Sequence, residues 1–304
     1  MKEDEMLKII VPGSTANLGP GFDSVGLAVN RYLTLDVRLA EAWSFAPKTP
    51  EVSGIPRGTD NLVYEVADKV ADAHGRRLPS CAVDVYSDIP FTRGLGSSAA
   101  AVVAGVELAD ALLELGLSRE QKMEWAARYE GHPDNVGASL YGGLVIGCCR
   151  EAGVDVVRVP EFDVEIVAII PGYELETKKA RGQLPAQWPR ARAVEASAVS
   201  NVLVAALLTK NWKLAGRMMA ADLFHQPYRK PLVPELARAE ALAEEYGAIG
   251  AALSGAGPTV LVFAEPGQGE RLAHQLRPHF PTCDIARLSV EPRGSRVYKL
   301  ALEA

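Results

Sequence analysis

The sequence predicts an α+β protein of two domains that meet near residue 150. The chain has 304 residues, which is long enough for two modest domains. Segments with period-two alternation of apolar and polar residues, typical of strands, alternate with segments of helical spacing. The composition also changes around residues 150–157. We therefore predict one domain over residues 1–152 and a second over residues 153–304.

The first domain is predicted to contain several strands and helices, separated by loops rich in Gly, Asn and Pro. The segment 97–115 consists largely of Ala, Val and Leu, which predicts a buried helix, and the serines at its start are able to cap it. The segment STANLGPGFD, residues 14–23, is expected to form a loop. The predicted strands are 7–12, 33–39, 81–86 and 142–149, and the predicted helices are 61–73, 97–115 and 119–130.

The second domain has a different order of elements. Strands are predicted at 164–170 and, broken by glycines, within 246–264, and helices at 193–208, 234–246 and 269–277. The succession strand, helix, strand, strand, helix, strand is typical of a split βαβ sheet with its helices on one side.

Charge and cysteine content exclude several classes of protein. The net charge is −6 without a compensating Lys/Arg cluster, which argues against a nucleic-acid or anionic-membrane partner. Residues 246–264 carry no charged side chain, but their glycines favour two short strands over a membrane helix. The N-terminus is charged where a signal peptide would be apolar, and the four cysteines form no CxxC pair. We expect a cytoplasmic protein with reduced thiols.

The segment PFTRGLGSSAA, residues 90–100, has the composition of a loop that could close around a phosphate. Glycines allow the backbone to approach an anion closely, and the following helix would add free N–H groups and the positive end of its dipole. The segment is neither a Walker A loop, because the lysine is absent, nor a GxGxxG loop. The residues alone leave a phosphate loop and an ordinary capped helix equally open.

Three further segments combine small residues with polar ones. In residues 14–29, Asp23 could hold a cation such as an ammonium group, although a solvated turn explains the pattern as well. In residues 129–143, Glu130 could ligate Mg²⁺, whereas His132 lacks a second ligand at zinc spacing. Residues 252–263 contain SGAGPT, which could pack on another loop, contact a ligand or form a tight hairpin.

In this order, the four segments resemble the GHMP family of small-molecule kinases. The similarity extends from Ile9 to about Phe263, and the forms ANLGPGFD and HPDNV are most similar to the members that phosphorylate L-homoserine. The resemblance implies an N-terminal domain like the second domain of ribosomal protein S5, followed by a ferredoxin-like domain. It also implies transfer of the γ-phosphate of ATP to a substrate hydroxyl in the presence of Mg²⁺, as a step of threonine biosynthesis.

The resemblance assigns the ATP phosphates to the loop at residues 90–100. It assigns Mg²⁺ to Ser98 and Glu130, with Glu124 as the alternative carboxylate. The cofactor-binding residues so implied are Pro90, Phe91, Thr92, Arg93, Gly94, Leu95, Gly96, Ser97, Ser98, Ala99 and Ala100.

The resemblance also implies a site for the amino-acid substrate. Asn17 and Asp23 would lie at its ammonium group, and Arg181 and Arg229 at its carboxylate. Thr177 would face the γ-phosphate, so that Asp23, Thr177 and Arg181 are the implied catalytic residues. The remaining residues implied to line this pocket are His132, Asp134 and Asn135.

Phosphoryl transfer through a loose transition state depends mostly on positioning and charge neutralisation, so we expect no strong general base. Two alternatives remain open: a kinase of the same fold for another small alcohol such as mevalonate, and a non-catalytic sensor of ATP and metabolite. A homodimer is expected only by analogy with the family.

Overall fold

The computed structural model describes residues 5–301 and divides them between two sheets. Within that range, seven strands form the first sheet, in the order β11-β1-β2-β4-β3, with β5 paired to the first part of β2 and β6 paired to β5. These strands are β1 (Glu5–Asn17), β2 (Gly21–Leu39), β3 (Ser44–Pro47), β4 (Cys81–Ser87), β5 (Leu144–Arg150), β6 (Gly153–Val159) and β11 (Arg296–Ala301).

Helices cover one face of this sheet, and their ends follow local sequence signals. They are α1 (Leu62–Ala73), α2 (Ser97–Leu113), α3 (Arg119–Glu130) and α4 (Asp134–Tyr141). Asn61 caps α1 by accepting from the N–H of Val63, and Ser118 begins α3 with a capping box. Gly131 ends α3 in the left-handed conformation, at the residue that the sequence predicts.

The second sheet is antiparallel, in the order β10-β7-β9-β8. Its strands are β7 (Glu165–Pro171), β8 (Gly250–Leu253), β9 (Val260–Ala264) and β10 (Cys283–Ser289). Its helices are α5 (Thr177–Arg181), α6 (Arg190–Leu208), α7 (Trp212–Ala220), α8 (Gln226–Arg229), α9 (Pro234–Glu245) and α10 (Gly269–Leu276). This order of elements and strands is that of a ferredoxin-like sheet, as the sequence predicts.

The two sheets share a hydrophobic core. One face of the second sheet, including Val167 and Val262, packs with α9 and α10 in a core of its own. The opposite face, including Ile166 and Phe263, belongs to the same apolar cluster as Leu7 and Leu35 of the first sheet. Close packing across this boundary holds the two halves of the chain together.

The strand pairing differs from the predicted division of the chain. Residues 152 and 153 lie at the turn between β5 and β6, and these two strands pair with each other in the first sheet. The C-terminal strand β11 also returns to this sheet, beside β1. We therefore propose a boundary after Val159, with β11 belonging to the N-terminal domain; residues 1–4 and 302–304 lie outside the described residues.

Two local predictions are wrong. Residues 14–23 do not form a long loop, because β1 continues to Asn17 and β2 begins at Gly21, so that a short turn joins two paired strands. The serines do not cap α2, because the residue before the helix is Gly96, with φ +76° and no side-chain cap. By contrast, the glycine-broken segment 246–264 contains β8 and β9, as predicted.

In the described part of the chain, α6 is the helix whose length and composition would allow it to cross a membrane. It has 19 residues and a mean hydropathy of 1.4. Core helices of soluble proteins meet the same two conditions.

Candidate active site

A cavity of about 330 Å³ lies where the two halves of the chain meet. The segment before α2, the β1–β2 turn and the start of α4 contribute residues from the first half. The second half contributes α5, Arg229 and the turn between β8 and β9. All four segments singled out in the sequence therefore converge on one space.

The loop at residues 93–96 directs its carbonyl groups into the protein. The carbonyl oxygens of Arg93 and Leu95 accept hydrogen bonds from the N–H groups of Thr259 and Ser14, at 3.2 and 3.1 Å. The carbonyl of Gly94 accepts from the Ser254 hydroxyl at 2.6 Å. Within residues 5–301, no N–H of residues 93–98 donates to a protein acceptor. The loop thus offers a row of free donors at the start of a 17-residue helix, which is favourable for an anion.

The two glycines of this loop are required by close packing. Gly94 and Gly96 have φ values of +84° and +76°. A methyl group on Gly94 would collide with the backbone of Ser254, and one on Gly96 would collide with Ser14. The SGAGPT turn therefore packs against this loop, and it also joins the paired strands β8 and β9 as a hairpin and lines the cavity.

The predicted phosphate-binding residues do not all reach the cavity. Phe91, Thr92, Gly94, Gly96, Ser97, Ser98 and Ala99 line it. Leu95 and Ala100 are buried in the core, and Pro90 is not among the lining residues. The Arg93 guanidinium turns outward, where it donates to the Gly172 carbonyl at 3.0 Å and pairs with Glu174 at 3.3 Å.

The structure distinguishes the two carboxylates considered for a metal. Glu130, at the end of α3, lines the cavity together with Ser98, and burial raises the pKa of its carboxyl group although the Ser98 side chain opposes the shift. Glu124 does not line the cavity and pairs with Arg128 at 3.6 Å. A hydroxyl and a carboxylate beside the row of N–H groups fit the preference of Mg²⁺ for oxygen ligands and substrate phosphates.

Asp23 and Arg181, implied for opposite ends of the substrate, are paired with each other. Two parallel hydrogen bonds of 2.9 and 2.7 Å join the guanidinium to the carboxylate. This contact raises the pKa of Arg181 further above its usual value.

A cluster rich in negative charge lies beside this pair. His132 contacts Asp134 at 2.7 Å, and this contact raises the pKa of the imidazole although burial opposes the shift. Ligand atoms of Asp23, His132 and Asp134 all lie within 4.8 Å of one another. Asn135 accepts from the Ser14 hydroxyl through Oδ1. Such a group is suited to a small cation, including an ammonium group.

Arg229 is almost fully buried, with 1% of its surface exposed. Its Nη1 donates to the Gly255 carbonyl at 3.0 Å and to the Nδ1 of His225 at 3.1 Å, whereas its Nε is buried without a partner among the described residues. Burial and the charge of Arg181 lower its pKa to about 10. Both guanidinium groups lie 5.5 Å from the ring of Phe22, on which they form cation–π contacts.

The two remaining predicted residues, Asn17 and Thr177, differ in their burial and in their contacts with the protein. Asn17 uses both ends of its amide within the protein, donating to the Gly255 carbonyl at 3.1 Å and accepting from the N–H of Asp23 at 3.0 Å. It therefore orients the turn that carries Asp23. Thr177 is the first residue of α5; it is exposed and contributes to the lining of the cavity.

Comparisons with known proteins agree with this arrangement. Two family models match this chain. The model of the GHMP kinases N terminal domain matches residues 61–143, and the model named GHMP kinases C terminal matches residues 203–282. A homoserine kinase of Bacillus velezensis is 56% identical over 304 residues, which are 100% of this chain and 98% of that protein. The chain belongs to the homoserine kinases, within the GHMP kinase family.

Solved structures of homoserine kinases have the same fold. One from Cytophaga hutchinsonii is 28% identical, with a TM-score of 0.85, and the match covers 98% of each chain. A candidate homoserine kinase from Listeria monocytogenes is 43% identical with a TM-score of 0.85, over 96% of this chain and 99% of that one. The predicted two-domain α+β fold of GHMP kinases and the predicted enzyme class are thereby confirmed.

The sequence did not point to the apolar arm of the cavity. This apolar part of the lining consists of Val52, Ile55, Leu62, Val63, Val85 and Ile89. These residues come from four separate segments, and each one alone is typical of an ordinary core position.

Proposed function

We propose that this chain transfers the γ-phosphoryl group of ATP to the side-chain hydroxyl of L-homoserine and forms O-phospho-L-homoserine, a step of threonine biosynthesis. The observation that carries this proposal is the charge pattern of the cavity. A carboxylate-rich cluster, a buried arginine and a row of free N–H groups all line this one cavity. A zwitterionic amino acid and a triphosphate need these two surfaces.

The charge pattern also favours an amine-bearing acceptor over mevalonate. Mevalonate has a carboxylate but no ammonium group, so it could draw Arg181 away from Asp23 only by leaving the Asp23 carboxylate without its cation. Uncompensated charges in a partly buried pocket are costly. Homoserine neutralises both kinds of charge.

For the nucleotide, we propose that the triphosphate accepts hydrogen bonds from the N–H groups of residues 93–98. Ser98 and Glu130 would hold Mg²⁺, which supplies positive charge to the phosphates when bound. The raised pKa of the Glu130 carboxyl group reflects burial, and an adjacent cation would favour its ionised form. Glu124 does not line the cavity and is paired with Arg128, so we do not assign it this role.

For the acceptor, we propose that homoserine replaces the contact between Asp23 and Arg181. The ammonium group would take the Asp23 carboxylate, and the freed Arg181 would join Arg229 at the carboxylate or contact the γ-phosphate with Thr177. The two side chains are 33% and 36% exposed, and ion pairs of that exposure contribute only about 0–1 kcal/mol. The exchange therefore costs little.

We propose further that no residue acts as a strong general base. The Asp23 carboxylate is occupied by a cation in both states, by Arg181 before binding and by the ammonium group afterwards. A loose transition state needs little help in removing the hydroxyl proton.

A coupled ADP-release assay tests the proposal. Purified protein with ATP and Mg²⁺ is supplied in turn with L-homoserine, mevalonate, galactose and shikimate, and the product is examined by ³¹P NMR. Fast ADP release with homoserine alone, with a phosphomonoester signal, is the expected result. Faster turnover of mevalonate would favour the other small-alcohol kinase, and ATP binding by calorimetry without any ADP release would indicate a sensor.

The remaining expectations concern location and assembly. We propose a cytoplasmic protein whose partner is its small-molecule substrate, and the net charge of −6 is consistent with the expected lack of a nucleic-acid partner. A homodimer stays a prediction, which light scattering after size-exclusion chromatography would check.

A further inference from the structure

His225 is a buried histidine in contact with Arg229, which lines the cavity. Its residue surface is 0% exposed, and it does not line the cavity itself. It lies directly before α8, which carries Arg229 at its last position. The preceding Asp222 accepts hydrogen bonds from the N–H groups of Phe224, His225 and Gln226, so that the backbone around the imidazole is held in place.

The neighbours of the imidazole determine which nitrogen carries the proton. Nε2 lies 2.8 Å from the carbonyl oxygen of Gly19 and 3.4 Å from a carboxylate oxygen of Asp222, and both of these groups only accept. Nδ1 lies 3.1 Å from Nη1 of Arg229, which only donates. The proton therefore resides on Nε2, and Nδ1 presents a lone pair to the guanidinium. Burial and the charge of Arg229 keep the ring neutral, with a pKa lowered to about 4 although Asp222 opposes the shift.

This lone pair restricts the orientation of Arg229. Nη1 is held between His225 and the Gly255 carbonyl, while Nη2 has no partner within residues 5–301. The ring of Phe22 stacks on His225 at 5.3 Å and also faces the guanidinium of Arg229. It therefore limits movement of the guanidinium on that side. The guanidinium is thus held with Nη1 bound to protein and Nη2 available to a ligand.

We propose that His225 is a positioning residue, whose Nδ1 orients the Arg229 guanidinium toward the carboxylate of the acceptor. This inference rests on the proposed function, because it needs an acceptor with a carboxylate. The competing possibility is that His225 only supports the fold through its hydrogen bond to Gly19.

Two amide substitutions separate these possibilities. In His225→Asn, Oδ1 can take the place of Nδ1 and accept from Arg229, whereas the donor to Gly19 is lost. In His225→Gln, Nε2 of the amide can take the place of the ring Nε2 and donate to Gly19, whereas the acceptor for Arg229 is lost. The pair therefore removes one hydrogen bond at a time from the same site.

We expect His225→Gln to raise the KM for homoserine by about 10-fold or more, because a hydrogen bond to a charged group is lost. The KM for ATP should stay unchanged and kcat should change far less than the KM for homoserine. His225→Asn should stay within about 3-fold of the wild type for all three constants. An equal rise in both variants, or no rise in His225→Gln, overturns the proposal.

An acceptor without the carboxylate provides a second readout. The probe is 3-aminopropan-1-ol, which is homoserine with the carboxylate replaced by hydrogen. We expect the wild type and His225→Gln to have the same kcat/KM with this probe. A defect that persists with it would show general damage to the site and would overturn the proposal. Lack of homoserine turnover by the wild type would instead contradict the proposed function.

A measurement on the wild type remains decisive if either variant does not fold. Long-range ¹⁵N–¹H correlation spectra distinguish the two neutral tautomers of histidine. We expect His225 to be protonated at Nε2 alone near neutral pH. A mixture of tautomers, or protonation at Nδ1, would contradict the contact with Arg229 and overturn the proposal.

Discussion

Two arginines of the same cavity are suited to different tasks because their burial differs. The Arg181 side chain is 36% exposed and bonded to Asp23. Arg229 is 1% exposed and, within residues 5–301, is bonded to a carbonyl and a neutral imidazole but to no carboxylate. An exposed ion pair exchanges partners at little cost, whereas a buried guanidinium without a carboxylate in contact is poised for an anionic ligand. We therefore expect Arg181 to move during the reaction cycle and Arg229 to remain in place.

Replacing Asp23 with Asn tests its assignment to the ammonium group. The substitution keeps the shape of the side chain and removes its charge, so we expect the KM for homoserine to rise by about 10- to 100-fold. Steady-state kinetics at saturating homoserine should show a kcat close to that of the wild type. Asp163→Asn, which removes an exposed carboxylate elsewhere, is the matched control and should change neither constant. A collapse of kcat would instead identify Asp23 as a base.

At the scale of elements, the segment before α2 combines an unusual backbone with close packing. Gly94 and Gly96 both have positive φ, and both lie against the backbone of other segments. The contacts come from β1 and from the turn between β8 and β9, so two other segments determine the shape of this loop. The free N–H groups follow from this packing, because every carbonyl from Arg93 to Leu95 is engaged on the other side.

The substitutions Gly96→Ala and Gly116→Ala separate the effect of a steric clash from the effect of backbone strain. Both glycines have left-handed φ, +76° and +67°, but a methyl group on Gly116 would meet nothing within 4 Å. Each variant should lose about 1–2 kcal/mol in stability from the backbone conformation alone. Gly96→Ala should also raise the KM for ATP, because Ser14 would push the loop out of shape. Urea unfolding and kinetics of both proteins measure these effects; a normal KM for ATP in Gly96→Ala would contradict the assignment of the loop.

At the scale of the molecule, the C-terminal strand closes the N-terminal domain. β11 pairs with β1, and Ser295 just before it donates a hydrogen bond to Glu107 of α2. The Glu107 side chain is 4% exposed and is paired with Lys122 of α3 at 2.6 Å. None of these residues lines the cavity, so this network contributes to stability independently of the site.

Glu107→Gln should therefore destabilise the protein without affecting catalysis. It keeps the shape of the side chain but weakens two buried contacts, and we expect a loss of about 1–3 kcal/mol in the free energy of unfolding. Lys122 retains Asp110 at 2.6 Å, which limits the loss. The control is Glu114→Gln, in an exposed pair with Lys299, which should not measurably change the urea midpoint. An altered KM in Glu107→Gln would show that the contacts of Glu107 affect the active site, which would contradict this prediction.

Short-range signals account for what could be predicted from the sequence alone. The helix at 119–130 follows from a capping box and a terminal glycine, and the ferredoxin-like order of the second half follows from periodicity. The family and its reaction follow from four motifs whose residues are close together in the chain. Such features depend on backbone preferences within a few residues, so they are visible without coordinates.

Only the tertiary structure decided the features that join distant residues. The contact of Asp23 with Arg181 spans 158 positions, and the place of β11 beside β1 spans nearly the whole chain. The proposal of Glu130 over Glu124 depends on which side chain faces the cavity, and the role proposed for His225 depends on its contact with Gly19, 206 positions away. Both glutamates lie in α3, and the sequence of this helix does not show which of them faces the cavity. The direction of a side chain relative to other segments is set by packing between elements and not by neighbours in sequence.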